Sequence, residues 1–183
     1  MRPLAPLEVS GPRLKLRAVK SDDAGYIHAL RTDSAYNAHL SAVTGTVEDQ
    51  RRWIEDYKLR EAEGAEYYYV AERLDDGRRC GVVRLYDIED DHFTWGSWIL
   101  DKNKPQKAAL ESAVLSFGIG FHALGKTMAL IDVRHGNNHA AAFYRRLGMD
   151  ELGRDDENFY FQYLRGRYEA DLGQHLAVLE EQK

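Results

Sequence analysis

The chain has 183 residues, of which 44% are hydrophobic and 30% charged, and its formal net charge is −5 at pH 7. This length and balance predict a single soluble globular domain. Basic residues are dispersed among acidic ones and no apolar run approaches the roughly 18 residues that span a bilayer, so we expect neither a nucleic-acid nor a membrane partner.

The N-terminal sequence and the cysteine content indicate the compartment. Residues 1–19 contain no continuous apolar segment followed by a small-residue cleavage site, so we expect no secretory signal. The single cysteine, Cys80, has no partner for an internal disulfide, as is typical of a reducing environment. The sequence therefore predicts a cytoplasmic protein.

The first part of the chain predicts an irregular segment, a strand and two helices. Residues 1–12 hold three of the four prolines and show no periodicity, which indicates a lead-in. Alternating apolar and charged residues over 14–19 predict a strand, and the Ser-Asp-Asp that follows predicts a helix over 22–32. A threonine and an aspartate three positions apart form a capping box, which predicts a second helix over about 46–63.

Tyrosine- and valine-rich segments then predict an antiparallel sheet. Residues 67–74 and 80–88 flank the turn signal Asp-Asp-Gly at 75–77, so we expect a hairpin. A second acidic turn leads to a further strand over 93–100.

The second half changes its periodicity. Apolar residues with a period of 3.6 predict a central helix over 107–123, and a buried strand follows over 128–133. A short helix over 138–147 is followed by a glycine in the C′ position. A last strand over 159–164 precedes a charged tail, 166–183, for which we expect a helix.

The predicted order of elements is β-α-α-β-β-β-α-β-α-β, without an internal repeat. Antiparallel strands come first and a βαβ-like crossover follows, which predicts a mixed α/β (α+β) layer fold. We expect three regions: the lead-in 1–12, one domain over 13–165 and the tail 166–183.

The segment from Asn137 to Met149 resembles a signature of the GNAT superfamily of acetyl-CoA-dependent N-acetyltransferases. It reads Asn-Asn-His-Ala-Ala-Ala-Phe-Tyr-Arg-Arg-Leu-Gly-Met, and members of that family typically show Asn-x-x-Ala, a tyrosine four residues on, and Leu-Gly-Phe or Leu-Gly-Met. The resemblance covers about Leu14 to Leu164. It implies the GNAT fold, in which a mostly antiparallel sheet of six to seven strands is flanked by about four helices.

The resemblance also implies where acetyl-CoA binds as a cosubstrate, without a metal. Main-chain groups of Trp98, Ile99 and Leu100 would pair with the pantetheine arm, as the family's fourth strand does. An N–H of Ile99 or Leu100 would bind the thioester oxygen. Asn137 would contact the CoA arm, although an asparagine before a helix serves equally well as an N-cap.

The loop at 104–109 resembles the family's pyrophosphate loop, (Gln/Arg)-x-x-Gly-x-(Gly/Ala), only in part. That loop binds phosphate through backbone N–H groups at a helix N-terminus. Lys104 and Ala109 conform, but Pro105 has no N–H and Lys107 stands at the usual glycine. We expect the charges of Lys104 and Lys107 to replace part of this amide cradle; solvated loop lysines are the alternative.

The resemblance makes Tyr144 the general acid for the departing thiolate. A phenol has an ordinary pKa near 10 and is protonated at neutral pH, although Tyr144 could instead be a packing residue. Many relatives have a glutamate as the base where this chain has Thr94. Asp132 and Glu72, each within an apolar strand, are the candidate replacements, acting directly or through water, because burial would raise the pKa of such a carboxyl group.

The acceptor site is expected between the loop at 33–47, the neighbouring strands and the last hairpin. Its candidate substrate-binding residues are aromatic or polar: Tyr36, His39, Tyr86 and Trp95, with Asn37 and Tyr160 near them. Such side chains suit a sugar ring or another small polar amine. The strand at 95–100 is similar to that of GNAT proteins that acetylate amino sugars on nucleotide carriers for surface polysaccharides.

Three functions remain open at this point. The leading one is an N-acetyltransferase acting on a small polar amine such as an amino sugar. The second is a protein N-terminal acetyltransferase like those that act on ribosomal proteins, and the third is a GNAT-fold module that binds or regulates with little catalysis. Because many family members dimerise, a homodimer is a further expectation.

Overall fold

The computed structural model describes residues 3–181. Its strands form one eight-stranded sheet in the order β1-β2-β3-β4-β5-β6-β8-β7. The strands are β1 (Glu8–Ser10), β2 (Leu14–Ala18), β3 (Tyr67–Arg73), β4 (Arg79–Tyr86), β5 (His92–Leu100), β6 (Met128–Arg134), β7 (Asp150–Arg154) and β8 (Asn158–Leu164). Neighbouring strands are antiparallel except β5 and β6, which are parallel.

Five α-helices flank this sheet within the described residues. They are α1 (Ala24–Thr32), α2 (Val47–Ala62), α3 (Ala108–Gly118), α4 (Asn138–Leu147) and α5 (Arg165–Glu180). A 3₁₀ turn precedes α1, and a π-helical turn over Ile119–Ala123 continues α3. None of the helices within residues 3–181 has the length and apolar character that crossing a membrane requires.

The two faces of the sheet bury different clusters, because alternate side chains of a strand point to opposite faces. Helices α1 and α2 cover β2 to β4 through the following buried residues: Ile27, Leu30, Ile54, Tyr57, Tyr68, Val70 and Val82. The other face is larger and mostly aromatic, and its centre consists of Phe93, Trp95, Phe117, Phe121, Phe161, Tyr163 and Tyr168. Helices α3, α4 and α5 cover this second face.

The predicted mixed α/β fold is confirmed, with eight strands instead of six to seven. Strand β1 lies in the lead-in that we expected to be irregular; it has only three residues, too few for a visible alternation, and it pairs with β2. Strand β7 was not predicted because all five of its residues are exposed and show no apolar alternation. Both are edge segments whose pairing depends on the rest of the sheet.

The charged tail forms α5, which begins at Arg165. This helix packs against α3, where the Tyr168 hydroxyl donates to the carbonyl oxygen of Val114 at 2.9 Å. Tyr168 and Leu179 are buried. The C-terminal helix is therefore part of the domain's core on the α3 side.

Candidate active site

A cavity opens where β5 and β6 diverge. The two strands pair over only three residues on each, and the last pair is Thr94 with Leu130. Beyond that pair the strands separate around a cavity of about 210 Å³. The polar and aromatic residues that line it are Arg31, His39, Ser41, Tyr68, Tyr86, Trp95, Ser97, Trp98, Asp132, Arg134, Asn137, Tyr144 and Asn158.

Strand β5 bulges at the wall of this cavity. Val82 of β4 lies opposite Ile99, but Arg84 lies opposite Gly96, so β5 carries one extra residue between these two pairs. Ser97, within the bulge, has a φ of 50°. A bulge leaves backbone groups without a partner on the neighbouring strand. Residues 96–99 line the cavity, so these groups are available to a bound molecule.

Tyr144 lies between the short helix α4 and the β5 wall. The side chain of Asn137 caps α4 by accepting from the Ala140 N–H at 3.4 Å, and Gly148 ends it with a φ of 92°. The Tyr144 ring meets Trp95 edge-on at 5.8 Å between centroids. Among residues 3–181 its hydroxyl has no hydrogen-bond partner. The phenol is thus held by packing while its polar end stays unpaired beside the cavity.

The environment of Tyr144 favours its protonated form. Burial, and then the negative charge of Asp132, raise the pKa of this phenol above its ordinary value. The same two causes raise the pKa of Tyr86, which also lines the cavity. A neutral phenol at physiological pH can donate a proton or a hydrogen bond.

The two candidate bases lie in different places. Asp132 lines the cavity, but it is exposed because it points away from the buried Ile131 and Val133. It is therefore not the desolvated carboxylate that the apolar run suggested. Glu72 does not border the cavity; its carboxylate is 3.2 Å from Arg17 and 3.6 Å from Lys15. The antiparallel pairing of β2 and β3 sets Glu72 against these cations and outside the cavity.

The predicted acceptor residues divide in the same way. His39, Tyr86 and Trp95 border the cavity. Trp95 is fully buried and its indole N–H donates to Ser116, so most of its side chain belongs to the core. Tyr36 does not line the cavity; its hydroxyl oxygen accepts from the backbone N–H of Lys102 at 3.0 Å. It ties the α1–α2 loop to the end of β5 instead.

Several polar residues of the cavity were missed in the sequence, among them two arginines and an asparagine. Arg31 lies in the last turn of α1, Arg134 ends β6 and Asn158 begins β8. Each is ordinary at a helix or strand end, and no local signal distinguishes it. Gly96 and Ser97, by contrast, could have indicated the bulge, because glycine in a strand interior often marks one.

The N-terminus of α3 offers unpaired amides near the end of β5. The N–H groups of Ala108, Ala109 and Leu110 have no partner among the described residues, as expected for the first turn of a helix. Lys107 caps this end with a φ of 62°, a left-handed conformation that glycine adopts without strain. The first turn of α3 therefore presents free backbone N–H groups, and the left-handed residue before it is a lysine instead of a glycine.

The lysines of this loop are not arranged as we expected. The Lys107 ammonium donates to the carbonyl oxygen of Val178, at the end of α5, at 2.5 Å. The Lys107 ammonium is therefore directed at the end of α5. Lys104 is exposed and borders a different groove, beside Arg13 and Arg73.

The β5 main chain nevertheless fits the predicted cofactor arm. Trp98 and Ile99 line the cavity, and the Trp98 indole N–H donates to Ser112 of α3 at 3.0 Å. Leu100 lies beyond the bulge, paired with Gly81, and does not border the cavity. A splayed strand with unpaired backbone groups and a helix N-terminus with free amides together suit an acyl-CoA.

These features define an acetyltransferase domain. Residues 13–150 match the family described as the acetyltransferase (GNAT) domain, and the chain belongs to this family. The predicted family is therefore confirmed.

Solved structures agree with this assignment. FdhC, described as a nucleotide-linked sugar GNAT, is 36% identical, with a TM-score of 0.87 over 94% of this chain and 98% of its own. Spermidine N-acetyltransferase from Vibrio cholerae, in complex with CoA and spermine, is 19% identical, with a TM-score of 0.73 over 85% of this chain and 97% of its own.

A third similar structure is ribosomal-protein-S5-alanine acetyltransferase from Vibrio fischeri, at 13% identity and a TM-score of 0.75 over 87% of this chain and 97% of its own. At such identities the last two structures show the fold alone. None of the curated protein sequences compared with the chain matched it significantly.

Proposed function

We propose that the chain transfers an acetyl group from acetyl-CoA to the amine of a small polar acceptor, an amino sugar carried on a nucleotide. The observation that carries this proposal is the cavity between β5 and β6, which brings the Tyr144 hydroxyl to the bulged strand. The 36% identity to a nucleotide-linked sugar GNAT supports the acceptor class.

Acetyl-CoA and three groups of the chain divide the chemistry between them. Acetyl-CoA, when bound, supplies an activated thioester. Tyr144 protonates the departing sulfur, for which its raised pKa keeps it in the acid form. Asp132 accepts the proton of the amine, directly or through water, and a backbone N–H of β5 at the cavity wall polarises the thioester oxygen.

The charges of the cavity favour an anionic carrier over a polyamine. Two arginines, Arg31 and Arg134, line the cavity together with a single carboxylate, Asp132. A polyamine carries several positive charges and would need carboxylates to pair with. Guanidinium groups bind phosphate oxygens in a bidentate manner, which suits the diphosphate of a nucleotide-linked sugar.

Replacing Arg134 by glutamine should therefore weaken the binding of the nucleotide-linked acceptor more than that of other acceptors. Loss of a charge-assisted hydrogen bond corresponds to roughly tenfold to a hundredfold in KM for the nucleotide-linked amino sugar, with little change for the free amino sugar. Release of free thiol would be measured with both acceptors, with spermidine and with a short peptide. Arg146→Gln, on an exposed part of α4 away from the cavity, is the matched control.

The outcomes of these assays distinguish the three candidate functions. Turnover highest with spermidine or with the peptide would overturn the acceptor class. A ligand that binds the folded state must raise the melting temperature. If millimolar acetyl-CoA did not raise the melting temperature of the wild-type protein, both acetyltransferase functions would be refuted, and the GNAT-fold binding module would be the alternative.

Replacing Asp132 by asparagine should lower kcat by about 10²-fold, the lower end of the range for a general base. The fold should be unaffected, because Asp132 is exposed and forms no ion pair within residues 3–181. The measurement is kcat together with the melting temperature. An unchanged kcat in the Asp132→Asn variant would assign proton removal to water alone. Glu72→Gln is the control, and it should leave kcat unchanged because Glu72 lies outside the cavity.

A further inference from the structure

Lys107 occupies the position at which a phosphate-binding loop needs an unusual backbone. Its φ of 62° and ψ of 15° are left-handed, and it immediately precedes the free amides of α3. An L-residue in this conformation is disfavoured by roughly 5- to 30-fold in an equilibrium constant relative to the right-handed one. Something else in the protein must therefore hold residue 107 in place.

The side chain of Lys107 is fastened to the last turn of α5. Its ammonium donates to the Val178 carbonyl oxygen at 2.5 Å and lies 3.4 Å from the Glu181 carboxylate. Carbonyl groups at a helix C-terminus lack partners within the helix and carry partial negative charge, so a cation is stabilised there. The contact joins positions 71 residues apart in the sequence, so it depends on the folded domain.

A second set of bonds fixes the same helix end. The Arg13 guanidinium donates to the carbonyl oxygens of Leu179, at 2.6 Å, and Glu181, at 3.0 Å. The backbone N–H of Arg13 donates in turn to the buried Glu111 carboxylate, in the first turn of α3, at 3.0 Å. The end of α5 is thus a fixed point relative to the start of α3.

We propose that Lys107 is a positioning residue for acyl-CoA, which acts through its backbone and not through its charge. The tether from its ammonium to the end of α5 holds residue 107 left-handed. That conformation directs the N–H groups of Ala108, Ala109 and Leu110 at the pyrophosphate. The proposal rests on the proposed use of acetyl-CoA, and it assigns to α5 a part in cofactor binding.

Two substitutions that remove the same charge separate the backbone role from a charge role. Lys107→Gly adopts the left-handed conformation without a tether, so its CoA dissociation constant should stay within about twofold of wild type. Lys107→Ala loses the tether and disfavours the conformation, so its dissociation constant should rise about tenfold. Titration calorimetry with CoA at two salt concentrations is the measurement. Equal losses of affinity in both variants, with a reduced salt dependence, would overturn the proposal.

A deletion tests the tether itself. Removing residues 178–183 takes away the acceptor of the Lys107 ammonium, and it should weaken CoA binding in the wild-type background but not further in the Lys107→Gly background. Because both backgrounds lose the same helix end and the same Arg13 contacts, a general loss of stability cancels in the comparison. An equal loss of CoA affinity in the two backgrounds would contradict a tether that acts through residue 107.

The free protein provides a readout that does not depend on CoA. Lys107→Gly should melt about 2–4 °C above Lys107→Ala, because only the alanine variant keeps the unfavourable conformation without its tether. If wild-type protein failed to bind CoA while this order of melting temperatures held, the proposed function would fail and the left-handed backbone of residue 107 would stand. The reverse order would contradict that backbone conformation, on which the proposal depends.

Discussion

Replacing Tyr144 by phenylalanine should lower kcat by about 10³-fold and leave the dissociation constant for CoA within about twofold. The substitution removes one hydroxyl group that has no partner among residues 3–181, and the ring keeps its edge contact with Trp95. A loss in kcat without a loss in affinity is the signature of a group that acts on the reacting sulfur. Steady-state kinetics and calorimetry measure the two quantities separately.

A matched control is available in the same core. Tyr163 of β8 is also a buried tyrosine, but it does not border the cavity, so Tyr163→Phe should leave kcat unchanged. If both variants lost activity equally, the effect would belong to packing. If Tyr144→Phe kept the wild-type kcat, the acid role would be refuted.

The pH dependence gives a second check on Tyr144. Burial and Asp132 raise the pKa of the phenol in the folded protein, whereas an unfolded tyrosine titrates near 10. The folded state therefore binds this proton more tightly, so the stability that it contributes is fully present below about pH 10 and is lost as the pH rises through the raised pKa. Ionisation of Tyr144 should produce no fall in kcat below about pH 10. An alkaline limb between pH 8 and 10 that disappears in Tyr144→Phe would contradict this environment.

The parts of the fold that were predicted depend on local signals. Helix α4 was placed at 138–147 as observed, because a capping asparagine, a stripe of apolar residues and a C′ glycine all lie within one short segment. Strands β1 and β7 were missed because neither carries an apolar alternation and both exist only as edges of a larger sheet. Local chemistry specifies elements with a buried face, whereas edges are specified by their neighbours.

Residues of the candidate site could be predicted when they belong to a sequence motif. Residues that only the tertiary structure brings to the cavity could not. Tyr144 followed from the resemblance of its helix to the family signature. Arg31 and Arg134 did not, because only the divergence of β5 from β6 brings the ends of α1 and β6 to one cavity. The direction of the Lys107 side chain likewise depends on Val178, at the end of α5 and 71 residues further along the chain.

A methyl group at position 81 should disturb both the stability of the domain and β5, the strand that we propose binds acetyl-CoA. Gly81 of β4 pairs with Leu100 of β5, just beyond the bulge. A Cβ atom at this glycine would lie 2.4 Å from the carbonyl oxygen of Ile99 and 2.8 Å from the Leu100 side chain. The nearer atom belongs to the backbone, so it can move only if β5 moves.

Gly81→Ala should therefore lower the free energy of unfolding by about 3 kcal/mol, the upper part of the usual range for overpacking. It should also weaken CoA binding, because a shift of β5 displaces the main chain at Trp98 and Ile99. Urea unfolding and calorimetry measure the two effects. Gly173→Ala is the control, since a Cβ atom there meets nothing within 4 Å and alanine in a helix interior should stabilise by up to about 1 kcal/mol. A Gly81→Ala variant as stable as wild type would show that β5 yields without cost, and the bulge would then be too mobile to position a thioester.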